Sequence, residues 1–226
     1  MMDSDMSMTN NYTHHSPPPC YDPLGVLYVD EDIVVVNKPA GLLSVAGRLM
    51  KDCVVARLQV DFRGIRIVHR LDLDTSGLMV LGLTQRAVSD LNRQFRERLV
   101  TKIYTAEVFG HLASAAGEID WPIDHDPVNR PRMRVDVLTG KAALTHYKVL
   151  AQAEKSARLQ LSPITGRSHQ LRLHLAHLGH PILGCDLYAH QQAFEAAPRL
   201  MLHATQLSFL HPATGKRRQF EAPVPF

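Results

Sequence analysis

A chain of 226 residues, 45% hydrophobic and 21% charged, can bury a sizeable core and has the balance of a globular rather than a disordered or membrane-spanning protein, no apolar run reaching bilayer length. Its three cysteines are odd in number, far apart and never spaced CxxC, which argues against a disulfide framework and a structural zinc site and suits a reducing cytoplasm. The net charge is +3; all 25 Lys and Arg follow residue 20 against 20 of the 22 Asp and Glu, so that part carries +5, a mild basic bias compatible with a polyanionic partner.

Residues 1–20, "MMDSDMSMTNNYTHHSPPPC", lack the basic and apolar regions of a secretory signal and are expected to form a disordered leader to a single catalytic domain over 21–226. "VLYVDEDIVVVNKP" offers two strands around an acidic turn, stopped by Pro39-Ala40-Gly41. "GIRIVHRLD" and "SGLMVLGLT" read as extended segments. In "TQRAVSDLNRQFRERLV", Val88, Leu91, Phe95 and Leu99 recur at helical spacing behind Thr84 as N-cap, giving an amphipathic helix with an Arg-rich outer face. "PIDHDPVNRPRMRVDVLTG", residues 122–140, reads as a linker dividing two lobes. "KIYTAEVFGHL", "LTHYKVLAQ" and "ARLQLSPIT" alternate as half-buried strands do, and "SHQLRLHLAHLG" is a second helix ended by Gly179 and Pro181. "LMLHATQLSFLHP" and "RRQFEAPVP" close the chain as strands. Runs of strands with few helices and no regular βαβ alternation predict an α+β fold with a mixed, mainly antiparallel sheet.

The stretch "VHRLDLDTSGLMVLGLT", Val68–Thr84, poses the chemical question, because Asp72 and Asp74 stand two residues apart. A phosphotransferring D-x-D motif wants an uninterrupted apolar strand before it; here His69-Arg70 intervenes, Ser76 replaces Thr or Val, and the parallel doubly wound pattern is missing. A pepsin-like site needs two D-T/S-G elements sharing a proton, and only one weak version exists. His169, His174, His177 and His180 cluster, but only His174 and His177 fall on one helical face, and zinc needs converging third and fourth ligands. In "ITGRSHQLRLH" a Thr-Gly turn entering a helix suits an anion near Arg167, Ser168 and His169, although taken alone a capped helix with solvated basic residues is the better explanation.

Five segments in order carry more than any one of them: "NKPAG" (Asn37–Gly41), "HRLDLDTSGLMVL" (His69–Leu81), "KIYTAEV" (Lys102–Val108), "TGRSHQLRLHLAHLGHPILG" (Thr165–Gly184) and "LMLHATQLSFLHP" (Leu200–Pro212). Together they resemble the RluA family of RNA pseudouridine synthases over essentially all of residues 24–226. The resemblance implies that family's fold, with a central active-site cleft. It also implies an isomerase acting on structured RNA, and it most resembles the short subgroup, lacking an S4-type RNA-binding domain, that modifies large-subunit (23S) rRNA and tRNA anticodon stem-loops. By that resemblance Asp72 is the catalytic aspartate, Tyr104 contacts the target base and is a candidate for proton removal, and Arg167 pairs with the aspartate. Arg70 helps hold the nucleotide out of the stack, and Lys38, His169 and Arg172 fall to the RNA-binding set. Where the family often shows G-D-x-x-Y, this chain has Gly184-Cys185-Asp186-Leu187-Tyr188, which puts Cys185 in the acid's place; Asp186 is given a structural role.

The implied chemistry suits these residue types. Breaking N1–C1′, turning the uracil and joining C5 to C1′ exchanges no electrons, so no cofactor and no metal are expected. A carboxylate beside C1′ can trap or stabilise an oxocarbenium-like centre, either by adding to C1′ or by assisting loss of the 2′ proton through a glycal. An arginine close by keeps it ionised in a dry site. A monomer acting in the cytoplasm, away from membranes, is expected. Asp74 is assigned to its turn, where its side chain would cap backbone N–H groups.

Overall fold

The computed structural model describes residues 17–226; the first sixteen positions of the expected leader lie outside the described residues. The elements run β1 (Gly25–Val29), β2 (Ile33–Lys38), α1 (Val54–Leu58), β3 (Arg66–Ile67), β4 (Ser76–Gly82), α2 (Gln85–Arg96), β5 (Thr101–Phe109) and β6 (Ala116–Ile119). They continue with β7 (Ile123–His125), β8 (Met133–Val135), β9 (Thr145–Gln152), β10 (Ser156–Pro163), α3 (Gln170–His177), α4 (Gln191–Glu195), β11 (Leu202–Leu210) and β12 (Arg217–Glu221). A ten-stranded sheet carries the order β1-β2-β4-β11-β5-β10-β9-β6, with β12 on β11 and β3 on β4. Of its pairings only β4 with β11 is parallel, so the sheet is mixed and mainly antiparallel, as the sequence predicts.

Strands β2 and β4 read as unbroken apolar runs because both faces of the sheet are covered there. Ile33, Val35, Leu78 and Val80 meet Ala87 and Leu91 of α2 on one face. Val34, Val36, Met79 and Leu81 meet Val54 and Leu58 of α1 on the other. The β1–β2 turn is fixed by Asp30, whose Oδ1 accepts from the N–H groups of Asp32 and Ile33 at 2.9 Å each. A third cluster, among them Ala106, Leu159, Leu161, Leu171 and Leu175, joins β5 and β10 to α3.

Thr84 caps α2, accepting from Ala87 N at 3.1 Å. The buried seam is Ala87, Leu91 and Gln94 rather than the full predicted set, and Leu99 is 39% exposed. The helix ends at Arg96 and Arg98 takes a left-handed φ of 60°, which turns Leu99 out of helical phase. Gln94 is buried because its amide spans the end of β11, donating to Leu210 O (2.6 Å) and accepting from Leu210 N (2.8 Å).

Residues 122–140 are not a bare linker. They fold as the β7–β8 hairpin, whose Ile123 and Met133 cluster with Ala143 and with Leu173 of α3. The short polar run between Asp126 and Arg132, which suggests a connection in the sequence, is the hairpin's loop.

Candidate active site

Parallel pairing of β4 with β11 is confined to Ser76↔His203 and Gly77↔Ala204. A Cβ on Gly77 would stand 2.4 Å from Ala204 O, and φ there is 114°, so glycine is required for the strands to meet. Ser76 Oγ lies 2.8 Å from His203 Nδ1 and accepts from Arg199 Nη2 at 2.6 Å. This seam anchors the start of β4, immediately after the turn that carries Asp72 and Asp74.

The "NKPAG" segment holds that turn from beneath. Lys38 is fully buried, and its Nζ donates to the carbonyls of Pro39 (2.9 Å), Leu42 (2.7 Å) and Leu73 (2.9 Å). Gly41 N also donates to Leu73 O, at 3.0 Å. Ser44 clamps the other neighbour, donating from Oγ to Leu71 O (2.7 Å) and accepting from Leu71 N (3.1 Å). Asp72 is thus held on both sides by backbone bonds while its own side chain stays free to meet a ligand. Burial pushes the Lys38 ammonium down to about 7, against the opposing charges of Asp74 and Asp72.

Asp72 borders three connected spaces. A chamber of about 100 Å³ behind it is lined by Tyr104, Lys102, Gln170, Arg172 and Leu202. A groove of about 520 Å³ on one side brings together Arg70, Arg96, Arg98, Lys102 and Arg167, with Asp72 its single acid. A groove of about 380 Å³ on the other side is lined by Asp72, Asp74 and Asp186, with Arg70 and Arg172. The sheet order places Tyr104, on β5, one strand away from β4, with β11 between. Burial, then the charge of Asp72, pushes the Tyr104 phenol far above its ordinary range, so it stands as a neutral hydroxyl.

The ion-pair partner of Asp72 is Arg172, not Arg167. Arg172 Nη1 lies 3.9 Å from Asp72 Oδ2 on a side chain 4% exposed. Arg167 is carried by the turn before α3; its Nε donates to Ala142 O at 3.0 Å and its N–H to Gln170 Oε1 at 3.0 Å, leaving the guanidinium on the rim of the basic groove. Gln170 fixes this turn, since its Oε1 also accepts from Thr165 Oγ1 and its Nε2 donates to Leu144 O. The sequence signal for Arg172 is its place two residues past Gln170, on the first turn of α3.

Two other expectations are corrected by burial. Lys38 has no surface to offer RNA, being 0% exposed with its donors on backbone carbonyls, and Arg172, 3% exposed, shows the site only the edge that faces Asp72. Arg70 is exposed and borders all three spaces. His169 opens α3 with a left-handed φ of 54° and shares a 2.7 Å hydrogen bond with Tyr188 Oη; burial lowers its pKa, against the charge of Asp72. Asp74 does not cap its turn: among the described residues its carboxylate accepts no hydrogen bond, and burial, then the charge of Asp186, raises its pKa. The turn is closed instead by Thr75 N on Asp72 O, at 3.2 Å.

The histidines that suggested a metal have separate partners. His174 bridges Thr145 Oγ1 and Trp121 O, His177 meets the Trp121 ring edge-on, and His180 Nδ1 lies 3.0 Å from Phe109 O. His69 Nε2 accepts from Val80 N at 3.1 Å while its ring stacks on Phe95. It is held neutral, burial and then the charge of Lys102 pushing it down to about 3.

A sequence model of the family described as RNA pseudouridylate synthase matches residues 32–177. The chain is 51% identical over 212 residues to the dual-specificity RNA pseudouridine synthase RluA of Escherichia coli K12, covering 92% of this chain and 97% of that protein. It is 47% identical, over the same shares, to the protein of that name from Haemophilus influenzae. Among solved structures it is similar to human RNA pseudouridylate synthase domain containing 1, with a TM-score of 0.79 and 31% identity over 92% of this chain and 86% of that one.

Proposed function

The chain belongs to the RluA family of RNA pseudouridine synthases, isomerases that convert uridine in RNA to pseudouridine, and from that premise we propose that Asp72 acts at C1′ of a flipped-out uridine in stem-loops of 23S rRNA and tRNA anticodon arms. The observation that carries the residue-level reading is the position of Asp72 at the meeting point of the chamber and both grooves. That relatives covering nearly the whole chain are named dual-specificity enzymes supports two RNA classes.

The uridine leaves its stack at a cost of roughly a few kcal/mol, and exposed Arg70 fills the space it vacates. Uracil enters the chamber against the Tyr104 ring. Asp72 attacks C1′ as N1 departs with the bonding pair, the retained base turns, and C5 joins C1′ as the Asp72–C1′ bond breaks and frees the carboxylate; the C5 proton is then lost and N1 takes up a proton. In the free enzyme Tyr104 is too weak an acid to serve as a base. Arg172 opposes the Asp72 charge from within, and the phosphates flanking the target lie along Arg70, Arg96, Arg98 and Arg167. Their guanidinium groups make no ion pair among the described residues, whereas Arg86 and Arg93 of α2, the helix that ends at Arg96, are paired. The chain works as a monomer in the cytoplasm, without a metal, where both RNA classes are found; no helix among the described residues is long and apolar enough to cross a membrane.

The test is release of tritium from C5-tritiated uridine in rRNA and tRNA stem-loop fragments, in EDTA. Wild type should release it and form pseudouridine, and Asp72→Asn should not. Turnover that disappears in EDTA would point to a metal-dependent enzyme and overturn the reading.

A further inference from the structure

Arg172 is held from behind by two consecutive residues of unlike chemistry. A guanidinium presents five N–H donors in one rigid plane. Its Nε and Nη2 both point at Cys185 Sγ, 3.4 Å from each, and Nη2 also bonds the Asp186 carboxylate. The plane lies over the Tyr188 ring, 5.6 Å from its centroid. Only the Nη1 edge is turned toward Asp72, at an ion-pair distance of 3.9 Å, too long for a hydrogen bond. The loop that does this is built on a required glycine: Gly184 takes a φ of 70°, and a Cβ there would stand 1.9 Å from Arg199 O. The backbone therefore turns Cys185 fully inward and leaves the Asp186 side chain 34% exposed on the wall of the acidic groove.

Thiol sulfur is a weak acceptor, so the strong restraint on the guanidinium is the carboxylate of Asp186. Asp186 and Asp72 are the two acids paired with Arg172 among the described residues. With Asp186 uncharged, Asp72 is the one carboxylate left at ion-pair distance from the fork of Arg172, and a bidentate pair occupies both carboxylate oxygens. A nucleophile locked in such a pair is not free to reach C1′.

We propose that Asp186 is a positioning residue for the isomerisation: it holds Arg172 by the Nη2 edge, so that the charge of Arg172 reaches Asp72 while the oxygens of Asp72 stay open to the ribose. Cys185, by accepting only weakly, leaves that task to its neighbour. This inference rests on the assignment of Asp72 as the group acting at C1′.

The test compares kcat and KM of full-length wild type, Asp186→Asn, Asp186→Glu, Cys185→Asp/Asp186→Asn and Asp72→Asn on one stem-loop RNA, with thermal melting of each. Asp186→Asn should lower kcat about 10- to 100-fold with KM within about twofold of wild type, the scale of a misplaced reacting group. Asp186→Glu, which keeps the carboxylate, and the double variant, which moves it one residue inward against the same fork, should each recover most of that loss. Wild-type kcat in Asp186→Asn, a loss confined to KM, or equal impairment of the Asn and Glu variants would overturn the proposal. So would failure of the double variant to recover turnover at an unchanged melting temperature. If Asp72→Asn itself turned over, the assignment of Asp72 would fail instead, whatever Asp186 did.

Discussion

The Nζ of Lys38 lies 2.9 Å from the carbonyl oxygen of Leu73, the residue between the two acids of the active-site turn. A buried ammonium has three protons to place, and here three backbone carbonyls accept them. Lys38→Met leaves the Pro39 and Leu42 carbonyls without their donor, while Leu73 O keeps Gly41 N–H, and unsatisfied buried acceptors cost about 1–3 kcal/mol each. Urea unfolding should therefore show a loss of at least about 2 kcal/mol, with turnover falling because the turn that bears Asp72 has lost much of its support. A variant as stable as wild type would show that Gly41 and Ser44 hold the turn unaided.

Arg172 and Arg167 should separate in kinetics. Arg172→Lys keeps a charge but cannot reach Cys185, Asp186 and Asp72 from one plane, and its kcat should fall by about 100-fold or more. Arg167→Lys, which lies on the groove rim, should stay within about tenfold, its loss appearing mainly in KM. The reverse order would return Arg167 to the pairing with Asp72.

Tyr104→Phe keeps the ring and loses only the hydroxyl. If the phenol takes the C5 proton, kcat should fall about 100- to 10,000-fold while the stem-loop still binds. Single-turnover assays with gel-shift binding separate the two. Turnover within about threefold of wild type would reduce Tyr104 to a stacking surface.

Arg96 and Arg98 are proposed to neutralise phosphates, so Arg96→Gln and Arg98→Gln should each weaken binding of every stem-loop tested. Each should reduce the slope of log K against log salt by about 1. Unaltered slopes would place the RNA backbone elsewhere.

His69 makes stability depend on pH with a definite sign. Its folded pKa, pushed down by burial and then by Lys102 to about 3, lies below the unfolded value of 6.5. The unfolded chain therefore takes up a proton first as pH falls. The stability associated with the neutral ring is complete above 6.5 and is lost between 6.5 and about 3, at about 1.4 kcal/mol per pH unit. Burial lowers His203 to about 4, and it adds to the same slope. Urea unfolding across pH 4–7 should show this fall, and His69→Gln should flatten it by about one proton.

What could be read in the sequence followed the range of the interactions involved. Thr84 and the helix after it, or the acidic β1–β2 turn, depend on neighbours within a few residues, and both stand where their spacing puts them. The partner of Asp72 depends on α3 being brought beside the active-site turn across some hundred residues, and motif spacing alone did not distinguish Arg172 from Arg167. Lys38 carried the same ambiguity, because a lysine in a Pro-Gly segment looks solvent-facing until Leu73 is brought over it. Asp74 failed differently: its turn offered backbone N–H groups, but Lys38, Gly41 and Thr75 had already organised that backbone. The β7–β8 hairpin was hidden by strands of three residues each, too short to show alternation.

The strand that joins the two halves of the site is made long after them. β11, Leu202–Leu210, lies between β4 and β5, so the start of β4 and Tyr104 are brought into one wall by a segment synthesised about a hundred residues after Tyr104. An emerging chain that already contains Asp72, Tyr104 and Arg172 still lacks the seam at Gly77 and Ala204 that sets them against one another. The enzyme should therefore be silent until β11 has been made, and a chain truncated before residue 202 should bear every proposed catalytic residue and catalyse nothing.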